Sequence, residues 1–480
     1  MLIDFNLSIT SLPKIADFCV VGSGPAGMTL ALELGDYGRS VILLEGGGLN
    51  ERTDSQEIYK GDVIGDPYFE LDNARLRYLG GTSGHWGGWC LPLGEMDFQK
   101  KEGFEDAHWP IEKRDLDPFL EKALSILDIP KPADDSVLDR EFGIKEIGVS
   151  ISPVSFGEKY RERLNSSKNV TCVTNANLTN LKTNGQRIMS AKATNFAGQS
   201  ADIKAKHFVL AMGGIENSRM LLWCNHQANG KIADPRAPLG RYWMEHPSFR
   251  VGEALVDLKL TQPVQHPKRL VALTDAARRK LSALDCTIIL REIPSGDSKA
   301  LVRELLCVAP KVGAWAASLV GQKLVCGARL AATWEQEPIW NNHLKLSETK
   351  RDRFGIPLTE LHWKRTHRDF ATLQKSLSLF NDYVMARNLG RIKYFDWVFG
   401  SDGLPDFRVT GDEGASYHHM GGTRMANSVK NGVVDSNCRV FGQDNLYVAG
   451  SSVFPSGGAV NPTLTIVQLS LRLAEHLRHA

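Results

Sequence analysis

Six residues, Gly22-Ser-Gly-Pro-Ala-Gly27, do most to limit what this chain can fold into. They follow Asp17-Phe-Cys-Val-Val-Gly22, a short apolar run that suits a buried parallel strand. A helical pattern over Met28–Leu34 comes next, and Ser40-Val-Ile-Leu-Leu-Glu45 reads as a second buried strand, closed by Gly46–Gly48. In a G-x-G-x-x-G turn between strand and helix, each glycine answers a separate demand. Gly22 allows the tight turn, Gly24 lets a pyrophosphate approach the backbone, and Gly27 lets the helix pack close to the strand. The helix N-terminus, with Pro25 and Ala26 in its first turn, favours phosphate, and Glu45 stands where a carboxylate accepts from ribose hydroxyls. The spacing predicts a dinucleotide site. The plainer alternative is a glycine-rich turn with no ligand, and the motif by itself does not choose between NAD and FAD.

The rest of the chain must accommodate that unit. At 480 residues and 53.1 kDa it is too long for one ordinary domain, and two large domains or three smaller ones fit. Its 42% hydrophobic and 23% charged residues match a soluble globular protein. A formal charge of +2 supplies no global field to recruit nucleic acid or anionic lipid. The eight cysteines are scattered without a CxxC pair, which argues against a zinc ribbon and for buried, reduced thiols. No metal-ligand spacing occurs either. The N-terminus shows no signal-peptide pattern, so a cytoplasmic location is expected. The apolar stretch from Val308 to Trp334 is broken by Lys311, Lys323 and Arg329, and reads as a buried or interface helix rather than a bilayer span.

Further signals follow in chain order. Residues 75–97 are dense in Gly and Trp and match no regular element, and 115–127 looks helical. Residues 148–212 alternate strand-like runs with turns, ending in His207-Phe-Val-Leu-Ala-Met-Gly213-Gly214 before a helix over 215–224. Residues 246–409 form a different block of mixed strands with helices near 299–325 and 367–388. A last strand is expected over 445–450 and an amphipathic helix over 462–479, with Pro462 in its first turn.

Several segments taken together resemble the glucose–methanol–choline (GMC) oxidoreductase family, and within it bacterial sugar dehydrogenases and pyranose-oxidase-like or glycoside 3-oxidase-like enzymes. They are Gly22–Gly27 with Glu45, Gly80–Gly88, Trp109-Pro-Ile111, Ala211–Asn217, Gly240–Pro247, His418–Met425, Gly432–Asp435, Asn445–Gly450 and Asn461–Thr465. Residues 246–409 match weakly, apart from Glu335–Pro338 and Asp352–Pro357.

The resemblance implies an α/β fold. A Rossmann-like FAD-binding domain would come from residues 1–245 and 406–480, and a mostly antiparallel sheet with helices from 246–405 would hold substrate. It implies FAD as cofactor and oxidation of an alcohol, expected to be that of a sugar or glycoside, by hydride transfer to flavin N5. Besides the first glycine motif, it would place Gly80, Gly81, Thr82, His85, Trp86, Gly87, Gly213, Gly450, Ser451, Asn461, Pro462 and Thr463 around the cofactor.

The family base falls on His418 when counted from Arg424-Met425, and on His419 when counted by a shorter spacing from Thr423; the longer anchor is preferred. A histidine near its ordinary pKa of ~6.5 suits removal of an alcohol proton. Asn461 would stabilise the forming alkoxide, or merely cap a helix. His85 matches a position that carries a covalent flavin bond in pyranose oxidases; a non-covalent packing histidine is the preferred reading. His246 reads as structural. Glu335 and Gln336 are read as exposed strand residues that either reach the substrate or have no role, and Trp86, Trp89 and Trp334 as a candidate aromatic platform or, more commonly, ordinary packing. The electron acceptor (oxygen, quinone or protein) and the oligomeric state stay open. A non-redox FAD lyase, a non-sugar alcohol oxidoreductase, an NAD-dependent reductase and a non-catalytic binding protein are the competing readings.

Overall fold

The computed structural model describes residues 1–7, 12–13, 15–132, 136–150, 152–257, 269–291, 324–400 and 416–480. The apolar run Ile15–Val21 forms a strand that leads through the glycine turn into the helix Pro25–Asp36. Proline suits that first helical position, since its missing N–H would have no intrahelical partner there. Val41–Leu44, buried at every residue, lies parallel to Ile15–Val21.

The sheet continues from Val41–Leu44 to Val170–Thr174 and Leu2–Asp4, all parallel. On its other side Ser200–Leu210 runs parallel to Ile15–Val21. The first half of that long strand pairs antiparallel with Ile188–Thr194, which in turn pairs with Asn177–Thr183. Its second half receives Leu446–Val448 in parallel, with Phe208 opposite Leu446. Eight strands result, with the helices Pro25–Asp36 and Thr463–Leu477 packed together beside them. Burial of residues such as Met28, Leu30, Val467 and Leu471 makes this the larger core.

A second sheet of seven strands is antiparallel throughout. It takes Ser248–Asp257, Arg269–Leu273, Cys286–Arg291, Leu324–Trp334 and Gly390–Tyr394, and also Ser136–Val137 and Phe142–Glu146. The helix His367–Ala386 lays Leu373, Leu377 and Phe380 against it. A three-stranded sheet joins His343–Arg351 and Pro357–Trp363 to Gly61–Gly65. Strands from before residue 246 thus join both sheets built from 246–405, and the 405/406 division lies outside the described residues.

The α/β class stands, with one mixed sheet flanked by helices and one antiparallel sheet carrying a helix. One local expectation changes. The helix foreseen near 299–325 and the apolar stretch from Val308 lie outside the described residues as far as Leu324, where a strand begins. Within it burial alternates: Ala328, Leu330, Ala332 and Trp334 are buried, while Arg329 is exposed. That is the two-residue period of a strand, not a helical stripe. The stretch 115–127 is helical as expected but divided, with short 3-10 helices over Lys113–Asp115 and Asp117–Phe119 and regular α-helix over Leu120–Ile126. Pro118 sits at the start of the second of these, which lets the chain change direction before the helix proper. Among the described residues no helix is long and apolar enough to cross a membrane. Six cysteines, Cys19, Cys90, Cys172, Cys224, Cys286 and Cys438, are buried free thiols; Cys307 and Cys326 have no described side-chain surroundings.

Candidate active site

The glycine turn is shaped by contacts that forbid side chains at two of its glycines and leave the third open. Gly22 has φ +103°. A Cβ there would strike the Ala211 carbonyl, and one at Gly27 would strike the Gly22 carbonyl. At Gly24 a Cβ would meet nothing within 4 Å. Gly24 is also the N-cap residue of the helix, so no side chain caps its first N–H groups from that position. Ala26 is buried and faces Gly450, whose φ is +107°. Gly213, φ +88°, is likewise open, at the start of the helix Gly213–Gln227.

Loop 80–87 closes over this turn. Gly80 N–H donates to Ser23 Oγ at 3.1 Å, and Gly81 comes so near Gly24 that a Cβ on it would lie 3.4 Å from the Gly24 Cα. Glu45 is buried. Its Oε2 accepts from Ser23 N (3.1 Å) and Ser23 Oγ (2.6 Å), and its Oε1 from Gly47 N (2.7 Å). Each carboxylate oxygen can accept more than one hydrogen, so Glu45 is not saturated by these bonds. Thr82, His85 and Gly87 are exposed, and Trp86 is half-buried with its Nε1 donating to Val154 O at 2.9 Å.

His418 and Asn461, 43 positions apart, meet: His418 Nε2 lies 3.2 Å from Asn461 Nδ2. The geometry follows from the chain path. Backbone N–H groups of Gly421, Thr423 and Met425 donate to the carbonyls of Ser451, Ser452 and Val453, so the His segment lies beside the segment leading to Asn461. Asn217 fastens the same place from below, accepting from Met212 N and donating to Ala449 O (3.0 Å) and Ser452 Oγ (2.9 Å). The C-terminal helix begins at Thr463 with Pro462 as its N-cap residue and no side-chain cap bond, which leaves the Asn461 amide for His418. His418 is half-buried. Burial, with smaller contributions from His246 and His419, holds its pKa well below 6.5.

His419 faces the other way. Its Nε2 lies 2.9 Å from the Tyr68 hydroxyl, and its carbonyl accepts from Ser451 Oγ at 2.5 Å. Burial lowers its pKa to about 3. Tyr68 donates to Glu245 Oε2 at 2.5 Å. The other Glu245 oxygen accepts from His246 N (2.8 Å) and His418 N (2.7 Å). Burial pushes the Glu245 carboxyl up to about 7, against the pull of these donors. Tyr68 and Glu245 are invisible to motif reasoning. Glu245 falls within a quoted segment, but a lone Glu before His-Pro carries no signal of what it will hold.

His246 is fully buried, and its Nδ1 lies 2.9 Å from His418 Nδ1. Behind it stands a set of buried charges. Glu335 pairs with Lys101, and lies 3.8 Å from Arg278; Arg278 pairs with Asp97 at 3.1 Å; Asp285 lies 3.6 Å from Lys145. Two of these carboxylates hold the loop before Asn461: Gly458 N donates to Glu335 Oε1 (3.2 Å) and Ala459 N to Asp285 Oδ2 (3.3 Å).

Glu335 and Gln336, expected to be exposed, are therefore buried supports. Gln336 Oε1 accepts from Glu245 N (3.0 Å) and Trp363 Nε1 (2.9 Å). The strand Leu324–Trp334 ends inside the protein, so the residues just past it meet partners, not solvent. Nor do the three tryptophans form a platform. Trp334 is fully buried and stacked on Phe249, while Trp89 lies under the Arg291 guanidinium.

Comparison with known proteins bears on this arrangement. Residues 338–470 match the GMC oxidoreductase family model. The large subunit of fructose dehydrogenase from Gluconobacter japonicus is 26% identical over 290 residues, 58% of this chain and 48% of that protein. A C-glycoside 3-oxidase from Microbacterium trichothecenolyticum is 30% identical over 161 residues, 33% of this chain and 27% of that one. The chain thus matches about half, or less, of the length of these curated relatives. Among solved structures, pyridoxine 4-oxidase from Mesorbium loti superposes with a TM-score of 0.60 at 17% identity, covering 97% of this chain and 99% of that one. A formate oxidase of Aspergillus oryzae, solved to study FAD modification, gives 0.57 at 16% identity, covering 97% and 98%. The long, low-identity superpositions show the fold, and over residues 338–470 the chain is similar to the GMC oxidoreductase family.

Proposed function

We propose that the protein is an FAD-dependent oxidoreductase that oxidises an alcohol, of a sugar or glycoside, to the carbonyl. The observation that carries this reading is the His418–Asn461 contact at 3.2 Å, in a chain with an open glycine cradle and a segment similar to the GMC family. The cradle fits a flavin dinucleotide. Gly24 and Gly213 leave space where a pyrophosphate must approach the backbone, no side chain caps the helix from Gly24, and Glu45 waits at the ribose position. Residues 22–27, 45, 80–87, 213, 450–451 and 461–463 would hold the cofactor. A bound flavin supplies the acceptor for the two electrons that leave the alcohol carbon as hydride. The exposed His85 is read as a non-covalent neighbour of the ring.

The chain's own residues handle the proton. An alcohol's hydride leaves only as its O–H proton is removed. His418, neutral because its pKa is held low, offers Nε2 as acceptor. Asn461 Nδ2 donates to the oxygen as charge develops there. The N-terminus of the helix Thr463–Leu477 adds its positive end nearby. Residues 1–245 with 406–480 serve the cofactor in this reading, and 246–405 the substrate. The substrates that the relatives' names give, fructose and C-glycosides, favour a sugar over an aryl or aliphatic alcohol.

Single-turnover flavin reduction tests the assignment. His418→Ala should slow it by ~10²–10⁴-fold and Asn461→Ala by ~10²–10³-fold. His419→Ala should cost less than about tenfold, since its ring serves Tyr68. The acid limb of the wild-type rate should lie below pH 6.5, because the base stays neutral down to its lowered pKa. A dead His419 variant beside a normal His418 variant would overturn the assignment of the base. Substrate turnover that never bleaches the flavin would make the protein a lyase instead.

A further inference from the structure

The His418 ring bonds on both sides, and only the Asn461 side follows from the motif. On the other, His418 Nδ1 and His246 Nδ1 are 2.9 Å apart, with the rings crossing at 89°. Two bare imine nitrogens do not hydrogen-bond, so one of these Nδ1 atoms carries the hydrogen. The amide nitrogen of Asn461 is a donor only, which makes His418 Nε2 the acceptor and leaves its hydrogen on Nδ1. His246 then accepts at Nδ1 and keeps its own hydrogen on Nε2.

The surroundings of His246 agree. Glu335, the Gly458 backbone, Asp285 and Asp97 all favour positive charge on its ring, although burial outweighs them. Its Nε2 is buried, with no partner in good hydrogen-bond geometry among the described residues, and a Cβ on Gly457 would come within 2.9 Å of it. The backbone holds both rings in register, because one Glu245 oxygen accepts from both His246 N and His418 N.

We propose that His246 is a positioning residue: by accepting the His418 Nδ1 hydrogen it fixes the tautomer that keeps Nε2 bare, accepting from Asn461 without substrate and free to take the proton of an alcohol that enters between them. The proposal rests on the alcohol-oxidation reading for its consequence in rate, but the tautomer exists without substrate. In the reaction an alcohol O–H bond breaks and a His418 Nε2–H bond forms. His418 becomes the cation, and its Nδ1–H···Nδ1 bond to His246 becomes charge-assisted and stronger. The groups facing the pair are His419 and Glu245 on the His418 side, and Glu335, Asp285 and Asp97 behind His246. Without an acceptor at Nδ1 the ring is free to take the tautomer with hydrogen on Nε2, which cannot act as a base.

The experiment uses the full chain labelled with ¹⁵N-histidine, with His418 signals assigned by their loss in His418→Gln. Wild type should show a protonated Nδ1 and a bare Nε2 on His418. His246→Asn keeps an acceptor oxygen near Nδ1, so it should keep the tautomer and lose under about tenfold in flavin reduction. His246→Leu should mix or invert the tautomer and lose ~10²-fold or more, the scale on which mis-set tautomers act, with substrate affinity little changed. A wild-type His418 protonated on Nε2 overturns the proposal. So does a His246→Leu protein with unchanged tautomer and rate. If the leucine variant fails to fold, the wild-type spectrum and the asparagine variant still decide. A tautomer that switches in a protein whose flavin no alcohol reduces supports the positioning and sinks only the oxidation reading.

Discussion

At the scale of single residues, the site depends on atoms that are missing as much as on those present. Gly24 has open space where its side chain would be. We therefore expect Gly24→Trp to fold but purify without flavin colour, which visible absorbance of the purified protein checks; stoichiometric flavin in a folded variant refutes the cradle. Glu245 is the opposite case, a side chain on which much converges. Its carboxyl is raised from 4.5 to about 7. A raised carboxyl contributes stability that is full below pH 4.5 and is lost as pH rises through about 7. Glu245→Gln removes that dependence. Wild-type stability relative to this variant should fall by roughly 3 kcal/mol between pH 4.5 and 8, measured by urea unfolding at both pH values. The shifts of Asp369, His246 and His419 are common to both proteins and cancel in the difference. His418 was legible because Arg424-Met425 anchors its motif. The contact of His246 with His418 was not legible, because nothing in a linear sequence shows a ring nitrogen at 2.9 Å from a partner 172 positions away.

Among elements, the strands and helices with one clear period were readable from the chain. Ile15–Val21, Val41–Leu44 and Thr463–Leu477 lie within a residue or two of their expected bounds. What the sequence hid was the loop 455–460, because its order comes from distant charges. It is held by Glu335 and Asp285, which sit against Lys101, Arg278 and Lys145 with nearly no water. Glu335 was expected at a surface since charged residues are seldom buried unless paired, and its partners lie far off in sequence. Glu335→Leu would strand Lys101 without its carboxylate. The loss should be about 3–5 kcal/mol, the cost of breaking a buried pair from one side, and flavin reduction should slow because Gly458, three residues before Asn461, loses its anchor. Urea unfolding and single-turnover kinetics of the same sample check both; a variant as stable as wild type means the cluster is not a support.

For the whole molecule, the proposed active site lies where segments next to the two large sheets meet. His246 immediately precedes the antiparallel sheet's strand Ser248–Asp257, while His418 and Asn461 flank the Leu446–Val448 strand of the mixed sheet. The glycine motif made the core of the first sheet foreseeable. The crossing of strands 136–146 and 61–65 over the expected division was not, since short strands with weak alternation look like loops until a partner is known.

The parallel insertion of Leu446–Val448 beside Phe208–Leu210 has a consequence for synthesis on the ribosome. Well over two hundred residues must be translated before that edge of Ser200–Leu210 finds its mate. Until then a nascent chain presents an unpaired strand edge, the surface most prone to joining another chain. The segment that finally covers it leads directly to Asn461. A growing chain is thus exposed to aggregation for as long as it is inert, and both conditions end in the same closing event.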